Sequence, residues 1–478
     1  MKITFVVPPV LDKSKPTERS SGCTYMLYPM VNIFELSVAA LLEQNKHEVK
    51  YIDCIEKNWR KNNLESFLEN DNSETYCIWS VNLGIQNDLL GQQLIRHIRS
   101  SSYVIFMGPA PTFNPNKFVV DDFTFVVRGE PEITAKELIN ALENKIALEQ
   151  IKGISFKKEN TIINNSNRDL IENIDEIPFP ARHLINKNYY HNPKLHVSPY
   201  TAVITSRNCP YKCIYCVPTS LSFARELEFK KFNDKKPPVS KRSINNILAE
   251  FKLLHEQGYK GISFMDDNFI WGEERTRKIC EGLIQYNFVW GCQTRADSIT
   301  ENIAKVLSKS NCQYVDLGIE SFDQKILDYI QKGLTVKQAE DAIILLKKHN
   351  VPVKLNILLG AAPFETKETI KATYQKIKQL KIDQVMFSLA TPFPGTEFYK
   401  LCKQNGWLVN GDYAPTDIQK KAVVNYPHIS NKELERAIFY NNLKFFTQPY
   451  LIKKHLKNIS SKKDFKVAAI AIKRKLVG

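Results

Sequence analysis

Short apolar runs alternate with amphipathic stretches along the first third of the chain. Strand-like runs cover residues 3–7, 47–52, 76–81, 103–107 and 123–127. Helical periodicity covers residues 33–44, 88–99 and 132–142. A short, continuous apolar run is typical of a parallel strand that is covered on both faces. Residues 1–145 are therefore predicted to form a doubly wound, Rossmann-like α/β domain, which binds ligands beyond the carboxyl ends of its strands.

The alternation returns with longer units after a connector at residues 146–196. The connector contains a hairpin pattern at residues 153–163 and a proline-rich, extended segment at residues 175–182. Six further strands are predicted at residues 201–206, 261–265, 289–294, 314–318, 353–359 and 384–389. Helical segments separate these strands, so residues 197–400 are predicted to form a partial, TIM-like βα barrel with its chemistry at the carboxyl ends of the strands.

The final region, residues 401–478, has a different character. Residues 431–446 are predicted to be helical, and the stretch from residue 450 to 478 carries nine lysines and arginines against the single acid Asp464. A basic amphipathic end of this kind can bind an anionic membrane surface. A solvated helix that packs across the barrel has the same pattern, so both interpretations stay open for this helical region.

Composition narrows the class of protein. A chain of 478 residues is too long for one ordinary core, and its net charge of +15 favours anionic partners, although a lysine-rich background also produces such a value. The cysteines lack the spacing of a disulfide framework, the first residues lack a signal-peptide pattern, and no run approaches the roughly 18 apolar residues of a membrane span. We expect a cytoplasmic protein, either in solution or peripheral to the inner membrane face.

Three cysteines lie within eight positions, directly after the first predicted barrel strand. They are Cys209, Cys213 and Cys216. On a loop, three thiolates can converge on one iron–sulfur cube, and three protein ligands leave one iron open. Structural zinc is the competing interpretation, but it normally takes a fourth ligand at matched spacing, and the next cysteine, Cys280, lies far along the chain. The spacing favours a [4Fe–4S] cluster with an open iron.

The CxxxCxxC spacing, with the aromatic Tyr215 before the last cysteine, closely resembles the signature of radical S-adenosylmethionine (SAM) enzymes. In that family the open iron chelates the amino and carboxylate groups of SAM. An electron from the cluster then cleaves SAM into methionine and a 5′-deoxyadenosyl radical, which abstracts a hydrogen atom. The resemblance covers about residues 199–400 and implies this activity, together with an electron donor such as flavodoxin or ferredoxin.

The later predicted strands end in residues that this resemblance assigns to SAM. Asp266 and Asp267 stand where the family usually has a Gly-Gly-Glu-like segment for the SAM amino group, so the chain departs from that letter pattern. Arg295 is a candidate for the SAM carboxylate, and Glu320 for the ribose hydroxyls. Residues 356–366 resemble the segment that packs near adenine. The implied SAM contacts are Tyr215, Asp266, Asp267, Arg295, Glu320, Ser321 and Leu358.

The first 145 residues resemble the cobalamin (B12)-binding domain that precedes the barrel in one large radical SAM subgroup. The likeness lies in the first strand with its Pro-Pro end and in segments 36–43, 107–112 and 127–132. The familiar Asp-x-His-x-x-Gly loop is absent, because the nearest equivalent, residues 53–56, has no histidine. Members of this subgroup often lack that loop, so the resemblance still implies cobalamin. Its candidate contacts are Ser80, Val81, Asn82, Gly108, Pro109 and Glu130.

With cobalamin, the resemblance implies radical C-methylation of an unactivated carbon, with methylcobalamin as the methyl source. The expected substrate is a small lipid, pigment or natural product. Radical cyclisation, ring rearrangement or oxidation would use the same parts without methyl transfer and stays an alternative. A non-enzymatic scaffold is disfavoured because all three cluster cysteines are present.

A methylthiotransferase acting on tRNA or protein is a third interpretation. Such enzymes carry a second three-cysteine cluster in the N-terminal domain, for which Cys23, Cys54 and Cys77 are the candidates. Cys54 and Cys77 lie on or beside apolar strands, as buried cysteines commonly do, and the tail is not a small β-barrel RNA module. Nucleic acid is therefore not an expected partner.

The number of clusters gives a direct test. We expect an anaerobically reconstituted preparation to contain about four irons per chain, because only one cysteine triplet has the spacing of a cluster motif. Iron and acid-labile sulfide analysis measures this value. About eight irons per chain would instead support the methylthiotransferase interpretation.

Overall fold

A computed structural model describes residues 1–12 and 14–457 of the chain. The chain forms two compact units. The first consists of Met1–Pro210, Val217–Gln293 and Lys309–Gln313, and the second of Tyr211–Cys216, Thr294–Ser308 and the chain from Tyr314 onward. The first unit crosses the domain boundaries expected at residues 145 and 196, and the second crosses the one expected at residue 400, so those boundaries stay a prediction.

The first unit begins with a seven-stranded sheet in the order β2-β1-β3-β4-β5-β6-β7. The strands are β1 (Lys2–Val7), β2 (Glu48–Asp53), β3 (Thr75–Trp79), β4 (Tyr103–Met107), β5 (Thr124–Val127), β6 (Ile154–Lys158) and β7 (Thr161–Asn164). Strands β1 to β5 are parallel to one another, which confirms the predicted doubly wound pattern. The intervening helices are α1 (Ile33–Gln44), α2 (Lys61–Asn70), α3 (Ile85–Ile98), α4 (Pro109–Phe113) and α5 (Pro131–Asn144).

The hairpin expected in the connector belongs to this sheet. Strand β6 pairs antiparallel with β5, and β7 pairs antiparallel with β6. The pairing covers the edge of β5, where unpaired backbone groups would otherwise be exposed. Helix α2 was not predicted, because only Leu64 and Leu68 of its polar sequence are buried.

The helices and strands of this sheet share one core. Val6, Ile78, Phe106 and Val126 come from neighbouring parallel strands and pack in a single buried cluster with side chains of α2 and α3. Each such side chain contributes about 1.5–3 kcal/mol when it is fully buried. Strands covered in this way must be apolar along their whole length, which is the pattern that predicted them.

The rest of the first unit contains the first strands of the barrel region. Strands β8 (Tyr200–Val203), β11 (Gly261–Phe264) and β12 (Val289–Thr294) are parallel, with β11 in the middle. The short strands β9 (Ser206–Arg207) and β10 (Ser240–Lys241) pair with each other. The helices are α6 (Ser220–Asn233), α7 (Ile244–Glu256) and α8 (Glu273–Gln285).

The second unit contains the later strands, β13 (Cys312–Glu320), β14 (Val353–Leu359) and β15 (Gln384–Leu389), which are parallel with β14 in the middle. Its helices are α9 (Glu301–Lys309), α10 (Gln324–Tyr329), α11 (Val336–Lys348), α12 (Lys367–Gln379), α13 (Glu397–Gln404), α14 (Asn431–Phe446) and α15 (Pro449–Lys457). The bounds of β14, β15 and α14 are those predicted from the sequence.

Within residues 1–12 and 14–457, no helix has the length and apolar character needed to span a bilayer. Most of the basic C-terminal stretch, residues 458–478, lies outside the described residues. The membrane-surface interpretation of that stretch therefore stays a prediction.

A buried carboxylate joins three segments of the first unit and provides a test of its packing. Glu250 on α7 accepts hydrogen bonds from Arg242 and forms an ion pair of 2.7 Å with Arg182, and all three side chains are buried. Loss of the carboxylate would leave two buried guanidinium groups without a counter-charge, at a cost of about 3–5 kcal/mol.

We expect Glu250→Ala to unfold at a clearly lower temperature than the wild type, measured by circular dichroism. The matched control is Glu281→Ala, which removes a mostly exposed carboxylate paired with Arg277 on α8. Exposed pairs contribute about 0–1 kcal/mol, so the control should stay close to the wild type. Equal melting temperatures for the two variants would contradict this account.

Candidate functional site

The cysteine motif lies on a loop that follows the short strand β9. Residues 208–216 have no regular structure apart from a turn at residues 214–215, and the backbone N–H of Cys216 donates to the carbonyl of Cys213 at 3.3 Å. Cys209, Cys213 and Cys216 are all half-buried. A loop lets side chains converge in a way that a helix or strand does not, so this part of the chain suits a thiolate ligand set.

Most cysteines outside the motif are buried. All ten cysteines lie in the described part of the chain, and none forms a disulfide. Cys54 and Cys77 are buried, as expected for structural cysteines on or beside strands, while Cys23 is half-buried. Burial raises the pKa of Cys23 to about 11 and that of Cys54 to about 12, and it also raises the pKa of Cys77. The second cluster of a methylthiotransferase gains no support from the burial of Cys54 and Cys77.

Among the described residues, no three His, Cys, Asp or Glu side chains are arranged to hold a single metal ion. The zinc interpretation of the cysteine motif therefore gains no support. A cubane cluster makes a different demand, because each of its thiolates binds a different iron.

A buried ion pair accompanies the cysteine loop in the second unit. Lys332 Nζ lies 2.9 Å from Glu320 Oε1 and 3.3 Å from the hydroxyl of Tyr215. Burial opposes the charge of Lys332, but the charges of Glu320 and Cys213 raise its pKa above the usual value. The pKa of Tyr215 is also raised, by burial and then by Glu320, Cys213 and Cys216. The fold thus favours a protonated Lys332 in the neighbourhood of Cys213.

Arg295, the candidate for the SAM carboxylate, is held by several partners. Its guanidinium stacks on Tyr211 of the cysteine loop, with its central carbon 3.4 Å from the ring centroid. It donates to the Asp297 carboxylate at 3.0 and 2.8 Å and to the carbonyls of Lys332 and Gly333 at 2.8 and 3.0 Å. These bonds give Arg295 a positioning role between the cysteine loop and the Lys332 segment, and its contact with SAM stays a prediction.

Two features of the backbone at the end of β13 accommodate the Lys332–Glu320 pair. Glu320 has φ 69°, a left-handed conformation that costs a non-glycine residue about 1–2 kcal/mol, and the register of β13 shifts between Gly318 and Glu320. A Cβ atom on Gly318 would lie 2.9 Å from both Glu320 Oε1 and Lys332 Nζ. Strain of this kind is typical of functional sites. Glu320 was predicted from the sequence, but Gly318 and Lys332 were not, since burial of a loop lysine leaves no signature in the sequence.

The remaining SAM candidates of the second unit lie near the carboxyl ends of β13 and β14. Ser321 is buried and accepts a hydrogen bond from the backbone N–H of Asp323 at 3.1 Å. Leu358 is buried within β14. The loop after β14 contains another buried acid, Glu365, which accepts from the backbone N–H groups of Gly360 and Ala361 at 2.8 and 3.0 Å. Burial raises the pKa of Glu365 to about 7.

In the first unit, Asp266 and Asp267 follow β11 but have different surroundings. Asp266 is fully buried and accepts from the hydroxyls of Thr205 and Ser206, next to the cysteine motif. Its pKa is raised to about 6 by burial, although these hydroxyls oppose the shift. Asp267 Oδ1 accepts from the Thr219 N–H at 2.7 Å, and its Oδ2 is buried without a hydrogen bond of standard geometry. Burial raises the pKa of Asp267, and the nearby hydroxyls of Ser222 and Thr219 oppose that shift. Asp267 therefore fits an ammonium ligand better than Asp266 does.

Comparison with known families identifies the domain in which these residues lie. The profile described as "Radical SAM superfamily" matches residues 203–377, from the end of β8 to α12. The matched region contains the cysteine motif, both aspartates, Arg295 and the Lys332–Glu320 pair. The chain carries a radical SAM domain.

Two curated relatives extend the likeness beyond the radical SAM domain. An uncharacterized methyltransferase of Pyrococcus horikoshii is 28% identical over 465 residues, which cover 95% of each protein. An anaerobic magnesium-protoporphyrin IX monomethyl ester cyclase of Synechocystis is 27% identical over 315 residues, which cover 63% of this chain and 58% of the cyclase.

Solved structures show that the overall fold is shared with cobalamin-dependent radical SAM enzymes. The enzyme OxsB, with aqua-cobalamin and SAM bound, has a TM-score of 0.70 and 16% identity, and the match covers 97% of this chain and 69% of OxsB. The methyltransferase TsrM of Kitasatospora setae, with cobalamin and a [4Fe–4S] cluster bound, has a TM-score of 0.65 and 16% identity over 91% of this chain and 81% of TsrM.

Five of the six cobalamin candidates upstream of the radical SAM domain come together. Ser80, Val81 and Asn82 follow β3, while Gly108 and Pro109 follow the neighbouring parallel strand β4. Gly108 has φ 101°, and a Cβ atom there would lie 2.6 Å from the carbonyl oxygen of Ser80, so only glycine allows these two strand ends to approach so closely. The position at the carboxyl edge of the sheet suits a ligand of such a fold.

The same edge is covered by an N-terminal loop in this structure. Arg19 donates to the carbonyl of Trp79 and pairs with the buried carboxylate of Asp88 at 2.6 Å, which anchors the loop at the end of β3. A Cβ atom on Gly22 would lie 3.3 Å from the side chain of Val81. The topology and position fit cobalamin, while the candidate side chains contact protein, so cobalamin contact by these residues stays a proposal.

Glu130, the sixth cobalamin candidate, interacts with residues other than those at the ends of β3 and β4. Its carboxylate pairs with Arg207 at 2.8 Å and with Arg225 at 3.1 Å, and it accepts from the backbone N–H of Ile171 at 2.9 Å. Glu132 also pairs with Arg207, at 2.7 Å. The structure gives Glu130 a place in a buried ion-pair cluster within the first unit, and a cobalamin contact of this residue stays a prediction.

The acidity of Glu365 predicts a pH-dependent stability. Its pKa of about 7 in the folded chain exceeds the ordinary value of 4.5, so folding favours the protonated form. Stability should fall as the pH rises from about 4.5 to 7, and above pH 7 the buried charge should cost about 3 kcal/mol. We expect Glu365→Gln to melt higher than the wild type at pH 8 and near it at pH 5.

Thermal melts at the two pH values, recorded anaerobically, measure this difference. Glu368→Gln is the control, because Glu368 is exposed on α12, three residues further along the chain. It should change little at either pH. A Glu365→Gln variant that is less stable than the wild type at pH 8 would show that the carboxylate is stabilised by its two N–H donors.

Proposed function

We propose that this protein is a radical SAM enzyme that uses cobalamin to methylate an unactivated carbon of a small lipid, pigment or natural-product substrate. The observation that carries the proposal is the cysteine motif inside a radical SAM domain, accompanied by a buried cation at Lys332. Methyl transfer is supported by the relative from Pyrococcus horikoshii, which matches over 95% of both chains and is named a methyltransferase. Cobalamin is supported by the fold shared with OxsB and TsrM.

Cys209, Cys213 and Cys216 are the residues that would hold the cluster. When bound, the cluster supplies the electron that splits SAM into methionine and a 5′-deoxyadenosyl radical, and the cobalamin supplies the methyl group. The chain itself contributes a positive charge close to Cys213. Lys332 stays protonated beside Cys213, and its ammonium offsets the negative charge of thiolates in a region of low dielectric.

Asp267 and Glu320 are the residues that we assign to SAM itself. Asp267 Oδ2 is a buried acceptor without a hydrogen bond of standard geometry, which suits the SAM amino group. Glu320 is held at the end of β13 by Lys332, in a conformation that directs a carboxylate for the ribose hydroxyls. Asp266 positions Ser206 of the strand that leads into the cysteine loop.

The cobalamin would rest on the carboxyl edge of β3 and β4, where Ser80, Val81, Asn82, Gly108 and Pro109 offer backbone and small side chains. Residues 53–56 contain no histidine that could bind the cobalt of a cobalamin. Asp53 in that segment accepts a hydrogen bond from Tyr190 at 3.0 Å. The proposal is therefore a cobalamin without a protein histidine ligand from this loop.

One alternative has a specific observation in its favour. The cyclase from Synechocystis matches over 63% of this chain, so cyclisation, ring rearrangement or oxidation without methyl transfer is the second candidate.

The proposal also includes two partners. One is an electron donor of the flavodoxin or ferredoxin type, and the other is an anionic membrane surface in contact with the basic C-terminus. Both concern partners of the same chain and leave its chemistry unchanged.

The cluster assignment can be tested by SAM cleavage. Anaerobically reconstituted wild type, given dithionite and SAM, should produce 5′-deoxyadenosine, which liquid chromatography measures. Cys213→Ala should lose at least about 100-fold of this activity together with its iron, because two thiolates do not complete the cluster. Cys23→Ala is the matched control, since Cys23 is also half-buried and lies outside the motif. Undiminished cleavage by Cys213→Ala would refute the assignment.

The methylation step has its own measurement. Wild type incubated with hydroxocobalamin should retain it through gel filtration and show the visible spectrum of a protein-bound corrin, which SAM and reductant should convert to that of methylcobalamin. A Gly108→Val variant should retain less, because its side chain would displace the ends of β3 and β4. A wild type that retains no corrin would exclude methylation and favour the second candidate.

A further inference from the structure

Helices α12 and α14 of the second unit enclose a groove of about 680 Å³. Its buried lining residues include Ile370, Tyr374 and Asn441, and its exposed ones include Tyr440. A volume of this size lies within the range of about 300–1,000 Å³ that is usual for small-molecule sites. None of these residues belongs to the cysteine loop or to the SAM candidates.

The groove is strongly positive. Five cationic side chains line it, against the single acid Glu433, and they are Lys367, Lys371, Lys378, Arg436 and Lys444. Glu433 is already paired with Lys367 at 2.6 Å. In the described part of the chain, the other four cations have no carboxylate within 4 Å. Like charges gathered around a concave surface repel one another, and an anion that enters the groove would relieve this repulsion.

An unmet hydrogen-bond donor gives a second, independent sign of a ligand. Asn441 is only 6% exposed and lines the groove, yet its Nδ2 has no hydrogen-bond partner. A buried amide donor normally finds an acceptor, because leaving it unpaired is unfavourable. An anionic oxygen in the groove would provide that acceptor.

We propose that this groove binds the phosphate group of a phosphorylated ligand. A phosphate offers three acceptor oxygens and up to two negative charges, which several lysines and an arginine can neutralise together. Ile370, Ala437 and the ring of Tyr440 provide contact area for the rest of the ligand. The proposal goes beyond the radical chemistry and does not depend on it.

The chain itself offers no suitable occupant from its C-terminus. The stretch from residue 450 to 478 has nine basic residues and one acid, so it would be repelled by the groove. The phosphate can belong to a soluble phosphorylated molecule or to the headgroup of an anionic phospholipid. The chemistry of recognition is the same in both cases, and the experiment separates them.

The test compares groove variants of the full-length protein. Inorganic pyrophosphate is titrated calorimetrically into wild type and into the triple variant Lys371→Gln, Arg436→Gln, Lys444→Gln. All three side chains are exposed, so the fold should be unaffected. We expect the dissociation constant to rise about tenfold or more, since each lost charge-assisted hydrogen bond weakens phosphate binding.

Two further variants sharpen the result. The matched control neutralises three exposed lysines elsewhere, as Lys117→Gln, Lys260→Gln, Lys309→Gln, and should bind like the wild type. Asn441→Asp replaces the unmet donor by a carboxylate of nearly the same shape and should also weaken binding about tenfold or more. Melting temperatures verify that each variant is folded, and 5′-deoxyadenosine production should be unchanged in all of them.

Sedimentation with vesicles separates the two sources. Binding to phosphatidylglycerol vesicles but not to phosphatidylcholine vesicles, lost in the groove variant and kept in the control, would identify a lipid headgroup. Pyrophosphate binding without vesicle binding would identify a soluble ligand. If wild type, groove variant and control bind pyrophosphate equally, or none binds it, and vesicle binding is also equal, the proposal is overturned.

Discussion

The ion pair between Lys332 and Glu320 organises the part of the second unit that contains Cys213 and Cys216. A lysine that is 6% exposed is costly to keep charged, and this one stays charged because Glu320 and the thiol loop compensate it. The pair determines several neighbouring features. The missing side chain of Gly318 makes room for it, the left-handed backbone of Glu320 directs one partner, and Arg295 holds the carbonyl of Lys332.

Charge compensation of this kind is what a cluster of thiolates requires. Thiolates and an iron–sulfur cube bring negative charge into a region of low dielectric, where it is stabilised by a fixed cation nearby. The cation is supplied by the segment between α10 and α11, outside the cysteine motif. In the proposed site, the motif would provide the ligands, and a separate loop would provide a cation close to them.

In the first unit, the parallel sheet brings several loops to one edge. Val81 and Gly108 follow neighbouring strands, so the carboxyl ends of β3 and β4 present them side by side. The same rule places Asp266 and Asp267 after β11. Parallel strands with helical crossovers always bring such loops to one edge, which is why ligands of this fold class bind there. The arrangement explains why function could be inferred from segments far apart in sequence.

Part of the positive net charge is concentrated in one groove of the second unit. The total of +15 on its own is compatible with a lysine-rich background. The groove between α12 and α14 concentrates five of these cations around a buried, unpaired amide of Asn441, so part of the charge has a local cause. A uniform excess of charge would be distributed over the surface, next to carboxylates that form exposed pairs.

The α/β pattern and the cysteine motif were both recognisable from the amino-acid sequence, and the assignment of those cysteines to a cluster stays a proposal. Apolar positions marked β4, β14 and β15 at their observed bounds, because strands of a parallel sheet bury most of their side chains. The spacing of Cys209, Cys213 and Cys216 needed no tertiary information. The two aspartates after β11 could not be told apart, since their difference lies in which hydroxyls and N–H groups surround each one.

The other features of the site depend on contacts that form when the chain folds. Lys332 and Glu365 are ordinary charged residues in the sequence, and both are buried in the structure. Lys332 pairs with Glu320, twelve residues earlier in the chain, and Glu365 accepts from the backbone of its own loop. The hairpin after α5 joined the first sheet because β5 left an open edge, a fact about neighbours in space. Local sequence patterns show which side chains are apolar and how candidate ligand residues are spaced. The burial of a side chain, its pKa and the balance of charges around it depend on contacts that exist only after folding.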